Sequence, residues 1–361
     1  MSTSKMVGHV LGFVFVTFLA GCGSYNTPSG PIPHPASSRF AFVANSLSNN
    51  VSSFGVDPQT GHLSLIGTVP TGGTTPRVIV VEPSGNFAYV GNTDSNNISV
   101  FAIDANSGKL TMVGSPVSTG NRPSFIVLAP AGNLLYVVNQ NEDHITGFSI
   151  DSDSGALSPL TGSVPTDRAP VAIIFHPSGH FAYVDNFNSS DVTVYRVDSS
   201  GALGLLGAIP VGLSPSALSM HPSGKFAFVA SLASNQVTTF SIDQASGALT
   251  PLTPSVTTGN GPDSVAVDAQ GRFAYVTNAI EGTVSTFSID AATGTLTPIS
   301  TVTAGTIPVA LTLDPSGRFA YVANQGSDNV TLFGVDPTTG ALNPAGPVVN
   351  AGTGPSWVVV R

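Results

Sequence analysis

One short apolar segment recurs seven times along this chain of 361 residues, and this self-similarity constrains the fold more than any other feature. Its first copy is Phe40–Asn45, and six of the seven copies end in Asn. The copies end at residues 45, 92, 139, 186, 231, 278 and 324, so one repeat is 45 to 47 residues long. A repeat of this length accommodates four short strands with their turns, which is one blade of a β-propeller.

Each repeat is predicted to form four strands, named A to D in the order in which they follow one another. The recurring segment is strand B, and an apolar segment that follows a Pro is strand A. The predicted A strands are Val78–Val81, Phe125–Leu128, Ala172–Phe175, Ala217–Met220, Val265–Val267 and Leu311–Leu313. In all seven repeats an Asp opens and a Gly closes the turn between strands C and D, as at Asp57 and Gly61. Asp bonds nearby backbone amides and Gly tolerates positive φ, so both are predicted to be structural.

The two ends of the repeat region are complementary. The first repeat begins at strand B, whereas the chain finishes with an unaccompanied strand A at Pro355–Val360. The sequence therefore predicts an all-β protein, a seven-bladed β-propeller of four-stranded blades over residues 39–361. The C-terminal strand is expected to join the N-terminal blade and close the ring, which covers the sheet edges.

The N-terminal residues indicate an exported, lipid-anchored protein. Residues 1–21 are predicted to be a lipoprotein signal peptide, because Leu19-Ala20-Gly21-Cys22 resembles the bacterial lipobox and follows a short apolar run. Residues 22–38 are predicted to be the lipidated Cys22 and a Pro-rich tether. The alternative is a general signal peptide that happens to contain a cysteine. Because Gly23, and not Asp, follows the cysteine, the expected location is the bacterial cell envelope, at the outer membrane or cell surface.

Composition excludes several classes of function. The chain has 11 Lys and Arg residues, 20 Asp and Glu residues and a formal net charge of -9, and the basic residues are scattered, so nucleic-acid binding is disfavoured. The single cysteine excludes an internal disulfide and a zinc site built on several thiolates. We expect no metal and no cofactor, and we expect a monomer because a closed propeller needs no partner for stability.

Two stretches carry a family resemblance. Tyr275-Val276-Thr277-Asn278 spells YVTN, and Pro315 to Leu342 contains PSGRFAYVAN followed by VTLFGVDPTTGAL. These units resemble the YVTN-repeat propellers and the broader lactonase propeller family, which includes 6-phosphogluconolactonase-like proteins. The resemblance covers residues 40–360 and implies a ligand site on the face formed by the B–C and D–A loops. In that family a Glu commonly follows the Asn of strand B, whereas here Gln140 follows Asn139.

One sector of that face departs from the repeat by its charge. Three successive D–A loops each contribute one arginine: Arg77, Arg122 and Arg168. The B–C loop that lies between the second and third of these contains Glu142, Asp143 and His144, and Asp185 stands where other B strands have small residues.

This set of side chains suits the opening of a lactone. Arg122 is the predicted electrophile, which polarises the carbonyl and stabilises the developing oxyanion. Glu142 or His144 is the predicted general base on water. Arg77, Arg168 and Asp185 are predicted ligand-binding residues. The alternative is a set of solvated loop charges that form ordinary surface ion pairs.

Two functions remain open. The first is an exported, lipid-anchored hydrolase of a lactone or sugar-derived ester, with a substrate other than the cytoplasmic 6-phosphogluconolactone. The second is a noncatalytic propeller of the cell envelope that binds or assembles a glycan, a peptide or a protein. The expected partners are the membrane, through the lipid anchor, and either a small lactone or sugar or an envelope glycan or protein.

Overall fold

Thirty-one β-strands in seven antiparallel sheets make up the regular structure of residues 39–361, the part of the chain that the computed structural model describes. The signal peptide, the lipidated Cys22 and the tether predicted for residues 1–38 lie outside the described residues. Within residues 39–361 no helix is long and apolar enough to cross a membrane.

Each sheet is one blade, numbered here along the chain. Blade 1 contains β1 (Arg39–Asn45), β2 (Asn50–Val56), β3 (Leu63–Pro70) and the C-terminal β31 (Pro355–Val360). Blade 2 contains β4 (Pro76–Val81), β5 (Phe87–Asn92), β6 (Asn97–Ile103), β7 (Leu110–Met112) and β8 (Val117–Ser118). Blade 3 contains β9 (Pro123–Leu128), β10 (Leu134–Asn139), β11 (His144–Ile150), β12 (Leu157–Pro159) and β13 (Val164–Pro165).

The remaining blades repeat the same order. Blade 4 contains β14 (Pro170–Phe175), β15 (Phe181–Asn186), β16 (Asp191–Val197) and β17 (Leu203–Pro210). Blade 5 contains β18 (Pro215–Met220), β19 (Phe226–Ser231), β20 (Gln236–Ile242) and β21 (Leu249–Thr257). Blade 6 contains β22 (Pro262–Val267), β23 (Phe273–Asn278), β24 (Thr283–Ile289) and β25 (Leu296–Thr303). Blade 7 contains β26 (Pro308–Leu313), β27 (Phe319–Asn324), β28 (Asn329–Val335), β29 (Leu342–Pro344) and β30 (Val349–Asn350).

The predicted ring closure is confirmed. The A strands of neighbouring blades contact one another all the way round, which places them as an inner ring about a central channel. In blade 1 the innermost strand is β31, whose Val358 and Trp357 pair with Val43 and Ala44 of β1. The last strand of the chain therefore completes the first blade.

Two details differ from the sequence expectation. Strand A begins at its Pro, two residues earlier than predicted in most blades, as at Pro76 and Pro123. Strand A is an edge strand facing the channel, so the absent N–H of Pro breaks no ladder hydrogen bond. The outermost strand D is split into two short pieces in blades 2, 3 and 7.

Neighbouring blades are joined by a repeated contact between the C–D turn of one blade and strand B of the preceding blade. The Gly that closes each C–D turn lies against the residue that opens the recurring segment of strand B in the preceding blade, as Gly108 lies against Phe40 and Gly155 against Phe87. In five blades the tyrosine of strand B also donates its hydroxyl to the carbonyl of that glycine, as Tyr89 does to Gly155 at 3.1 Å. The Asp that opens the same turn accepts backbone N–H groups, as Asp57 does from Gln59 and Thr60, each at 2.8 Å. The structural role predicted for these Asp and Gly residues is confirmed.

Candidate functional site

The upper face of the propeller is defined here as the face that carries the B–C and D–A loops. A repeated hydrogen bond fixes these loops to one another. The fourth residue of each B–C loop has positive φ, and in every blade except blade 6, where it is Gly282, its side chain accepts an N–H of the next D–A loop. Asn96 Oδ1 accepts from Arg122 N and Asp143 Oδ1 from Ala169 N, both at 2.7 Å. These hydrogen bonds therefore hold the loops, which carry the side chains of this face, in fixed positions relative to one another.

A polar pocket of about 430 Å³ opens on the upper face where blades 2, 3 and 4 meet. It is lined by Arg122, Gln140, Asn141, Asp143, Arg168, Ala169, Phe187 and Asn188. The pocket brings together two guanidinium groups, a carboxylate, three amides and one aromatic ring. Such a lining can bind a polar ligand and polarise a carbonyl group.

Arg122 is the best-defined cation of this pocket. Its Nε donates to Gln140 Oε1 at 2.9 Å, and its Nη1 lies 3.5 Å from Asp94 Oδ1. Arg122 itself has a φ of 60°, which belongs to the left-handed region, so its backbone is held in a strained conformation by the bond to Asn96. The neutral side chain of Gln140 therefore orients this guanidinium without neutralising its charge.

Glu142, a predicted catalytic residue, does not line the pocket. Its carboxylate lies beside Gly120 and Asn139. The equivalent residue of blade 6, Glu281, accepts the N–H of Asn260 at 2.8 Å, and Ser95 accepts the N–H of Thr74 at the same position of blade 2. Glu142 thus occupies a position that braces the preceding D–A loop in other blades, and it flanks Arg122 from outside the pocket.

His144, the second base candidate, is also outside the pocket. It is the first residue of β11, in the third strand from the channel, and pairs with Pro165. Its Nδ1–H donates to the carbonyl oxygen of Glu142. The imidazole is therefore tied to the same loop as Glu142.

The predicted ligand-binding residues fall in three different environments. Arg168 is exposed and lines the pocket. Asp185 lies in β15 and is fully buried, and both of its carboxylate oxygens lack a hydrogen-bond partner within residues 39–361. Burial, and to a smaller extent Asp191, raises the pKa of Asp185 well above its ordinary value. Arg77 is the second residue of β4, in the inner ring, and does not line the pocket.

Sequence reasoning missed the pocket's aromatic and amide members. Phe187 and Gln140 both directly follow the terminal Asn of a strand B, at Asn186 and Asn139. Across the seven repeats this position holds Ser, Thr, Gln, Phe, Leu, Ala and Gln. That variability within an otherwise uniform repeat is the signal that could have marked it.

A second groove, of about 590 Å³, lies between blades 6 and 7 on the same face. Ile280, Ile307 and Val348 give it an apolar lining, and Glu281 is its one charged lining residue. It contains no cation that could polarise a carbonyl, so it is less suited to hydrolysis. No cluster of three or more His, Cys, Asp or Glu side chains that could hold a metal ion is found among residues 39–361.

The chain is thus a seven-bladed β-propeller with a polar pocket on its upper face, and two arginines line that pocket. The chain matches the family described as lactonase, 7-bladed β-propeller over residues 26–123, 114–175, 161–263 and 251–360, and it belongs to that family. No curated protein matches it by sequence.

Solved structures share the fold. A proposed 6-phosphogluconolactonase from Bacteroides fragilis superposes with a TM-score of 0.80 at 21% identity, covering 93% of this chain and 100% of that chain. One from Bacteroides uniformis gives 0.80 at 19% identity, covering 91% and 100%. The periplasmic gluconolactonase of Pseudomonas aeruginosa gives 0.79 at 21% identity, covering 90% and 99%. Similarity at this level of identity establishes the architecture alone.

Proposed function

We propose that this propeller hydrolyses a sugar-derived lactone in the pocket lined by Arg122 and Arg168. The observation that carries the proposal is the convergence of two guanidinium groups with Asp143 in one polar pocket of a lactonase-family fold. The gluconolactonase named among its structural neighbours supports a sugar lactone as the substrate class.

The chemistry needs an electrophile and a base. The lactone carbonyl oxygen accepts hydrogen bonds from Arg122, which stabilises the oxyanion formed as water adds to the carbonyl carbon. The ring C–O bond then breaks, the released oxygen takes up a proton, and the product is a hydroxy acid. The base that removes a proton from water is a carboxylate of the B–C loop of blade 3.

The two carboxylates of that loop have different constraints. Asp143 lines the pocket, but its Oδ1 already accepts the N–H of Ala169. Glu142 is exposed and lies beside Gly120, two residues before Arg122. Asp143 and Glu142 both belong to the B–C loop that flanks Arg122. Substituting each of them in turn shows which one acts as the base.

A panel of sugar-derived and simple lactones tests the proposal. Wild-type protein should accelerate hydrolysis above the spontaneous rate for at least one sugar lactone. Absence of turnover on every lactone would overturn it and favour the noncatalytic alternative, a propeller that binds an envelope glycan, peptide or protein. Thermal shift with the same lactones and their hydroxy acids would then show whether the pocket binds them at all.

We further propose that Cys22 carries the lipid anchor and that the propeller faces the outside of a bacterial cell envelope. The lipobox-like sequence before Cys22 supports this. Arg39 bonds Asp314 at 2.6 Å in an A–B turn, so the chain enters the propeller on the face opposite the pocket. Anchoring there would leave the pocket accessible. Incorporation of labelled fatty acid into the wild type, and its loss in Cys22→Ser, tests the anchor; equal labelling of both would contradict it.

A further inference from the structure

Phe187 differs from every other aromatic residue in the part of the chain that the structure describes. Within residues 39–361 all other Phe, Tyr and Trp side chains belong to β-strands and are buried, whereas Phe187 lies in the B–C loop of blade 4 and is only half-buried. Its side chain lines the same pocket as Arg122 and Arg168. The pocket wall therefore contains one aromatic surface that a ligand can cover.

The loop position of Phe187, directly after the last residue of strand B, serves a polar role in other blades. Thr93 of blade 2 donates its hydroxyl to Pro123 O at 2.8 Å. Ser46 of blade 1 donates its hydroxyl to Gly354 O, also at 2.8 Å. A phenylalanine side chain can form no such bond. What Phe187 supplies at this position is instead an apolar surface in the wall of a polar pocket.

Backbone hydrogen bonds fix this ring relative to the arginines. Phe187 N donates to Ala169 O at 2.9 Å, and Asn188 N donates to Arg168 O at 3.2 Å. From the B–C loop of blade 3, Asp143 Oδ1 accepts the N–H of Ala169. The loops that carry Phe187, Arg168 and Asp143 are therefore joined to one another. The aromatic surface is in place before a ligand binds, which lowers the cost of binding.

A closed sugar ring matches the groups around Phe187. Such a ring has a face of C–H groups, which packs against an aromatic ring, and hydroxyl groups at its edge. Asn141 and Asn188 line the same pocket, and their amides can donate to and accept from hydroxyl groups. Hydrolysis of a sugar lactone opens the ring, so the hydroxy acid that it yields has no such C–H face.

We infer that Phe187 is a specificity-determining residue, which stacks against the closed ring of a six-membered sugar lactone and thereby favours the lactone over its open-chain product. The choice of a sugar lactone as ligand rests on the proposed function. The preference for a closed ring does not require turnover, so it can be measured by binding alone. Because the product lacks the ring, it loses this contact and leaves the pocket more readily.

Calorimetric binding to the full-length protein tests the preference for a closed ring. The probes are the δ-lactam of gluconic acid, which keeps the closed ring with an amide in place of the ester, and gluconamide, its neutral open-chain counterpart. The wild type should bind the lactam about tenfold more tightly than gluconamide. Phe187→Leu should remove most of this difference by weakening the lactam alone, and Phe187→Tyr, which keeps an aromatic ring, should retain it.

Leucine is a suitable replacement because blade 5 has Leu232 at the same loop position. Leu232→Ala is the matched control, since Leu232 does not line this pocket, and it should leave the binding of both probes unchanged. Equal affinity of the wild type for the two probes, no binding of the lactam, or an equal effect of Phe187→Leu on both probes would overturn the inference.

Kinetics distinguish a failure of this inference from a failure of the proposed function. On a sugar lactone that the wild type hydrolyses, Phe187→Leu should raise KM about tenfold and leave kcat within about twofold, because stacking holds the ring equally before and during reaction. A lower kcat at unchanged KM would overturn the inference. If the wild type hydrolyses no lactone but Phe187→Leu still weakens the lactam alone, the proposed function fails and the preference for a closed ring stands.

Discussion

The hydroxyl of Tyr321 in blade 7 donates a 2.7 Å hydrogen bond to the carbonyl oxygen of Gly61 in blade 1, so the ring is joined at its seam as well as within blade 1. The same glycine lies against Phe319 with a φ of 75°, a conformation and a closeness that exclude a β-carbon. The seam therefore uses the same contact that joins the internal blades.

Tyr321→Phe should lower the free energy of unfolding by about 1–2 kcal/mol, because the buried carbonyl of Gly61 loses its donor. Denaturant unfolding measures this. The chain offers a reciprocal control, since Phe228 occupies the tyrosine position in blade 5, two residues after Phe226, which lies against Gly294. Phe228→Tyr should be neutral or stabilising. A Tyr321→Phe variant as stable as wild type would contradict the role of this bond.

Deletion of Trp357 to Arg361 should destabilise the protein strongly. The deletion removes the innermost strand of blade 1 together with the edge-to-face contact of Trp357 with Phe125 of blade 3, whose ring centroids are 5.5 Å apart. Loss of a buried Trp alone costs about 3–5 kcal/mol. Thermal unfolding should show a large fall in Tm, whereas Arg361→Ala alone changes it little. A truncated protein that melts with the wild type would refute ring closure by β31.

Acidification should lower the stability of the fold through two histidines on the face opposite the B–C and D–A loops. His176 and His221 lie in the A–B turns of blades 4 and 5. Each links its turn to the next blade, because His176 Nε2–H donates to Gly224 O at 3.0 Å and His221 Nε2–H donates to Gly271 O at 2.9 Å. Burial lowers the pKa of both imidazoles. The unfolded chain therefore binds protons more readily below about pH 6.5, and their contribution to stability is lost as pH falls through that value.

The measurement is Tm between pH 7.5 and 5. The wild type should lose stability over this range, and the double change His176→Gln with His221→Gln should flatten the slope because neither side chain then titrates. If the Tm of the double variant still falls with pH as steeply as that of the wild type, other titratable groups cause the fall.

The substitution Glu142→Gln distinguishes two roles for Glu142, a general base on water and a residue that only holds the preceding D–A loop in place. If Glu142 removes the proton from water, the change should lower kcat by about 100-fold or more with little effect on Tm. Glu281→Gln is the matched control, because Glu281 occupies the same loop position in blade 6 and does not line the pocket that contains Arg122 and Arg168. Equal, small effects of the two substitutions on hydrolysis would mean that both residues only brace their D–A loops, and Asp143→Asn would become the decisive variant.

The repeat predicted the blades because each of its features has a local physical cause. The Asp57 and Gly61 turn depends on side-chain-to-backbone bonds and positive φ, and closure by Pro355–Val360 follows from counting strands. The site was less accessible to sequence reasoning. Arg122 and Arg168 were predicted to share a sector, and the structure shows that both line one pocket. The position of Glu142 outside this pocket depends on how two loops bond to each other.

The most direct test of the account is the rate of lactone hydrolysis by Arg122→Met beside Arg272→Met. Arg272 is the control because it lies in an A–B turn on the opposite face, with its guanidinium 5.0 Å from the ring centre of Phe273. The account predicts that Arg122→Met lowers kcat/KM by about 100-fold or more while Arg272→Met leaves it near wild type. Hydrolysis that is indifferent to Arg122, in a protein that still folds, would contradict the assignment of this pocket as the active site.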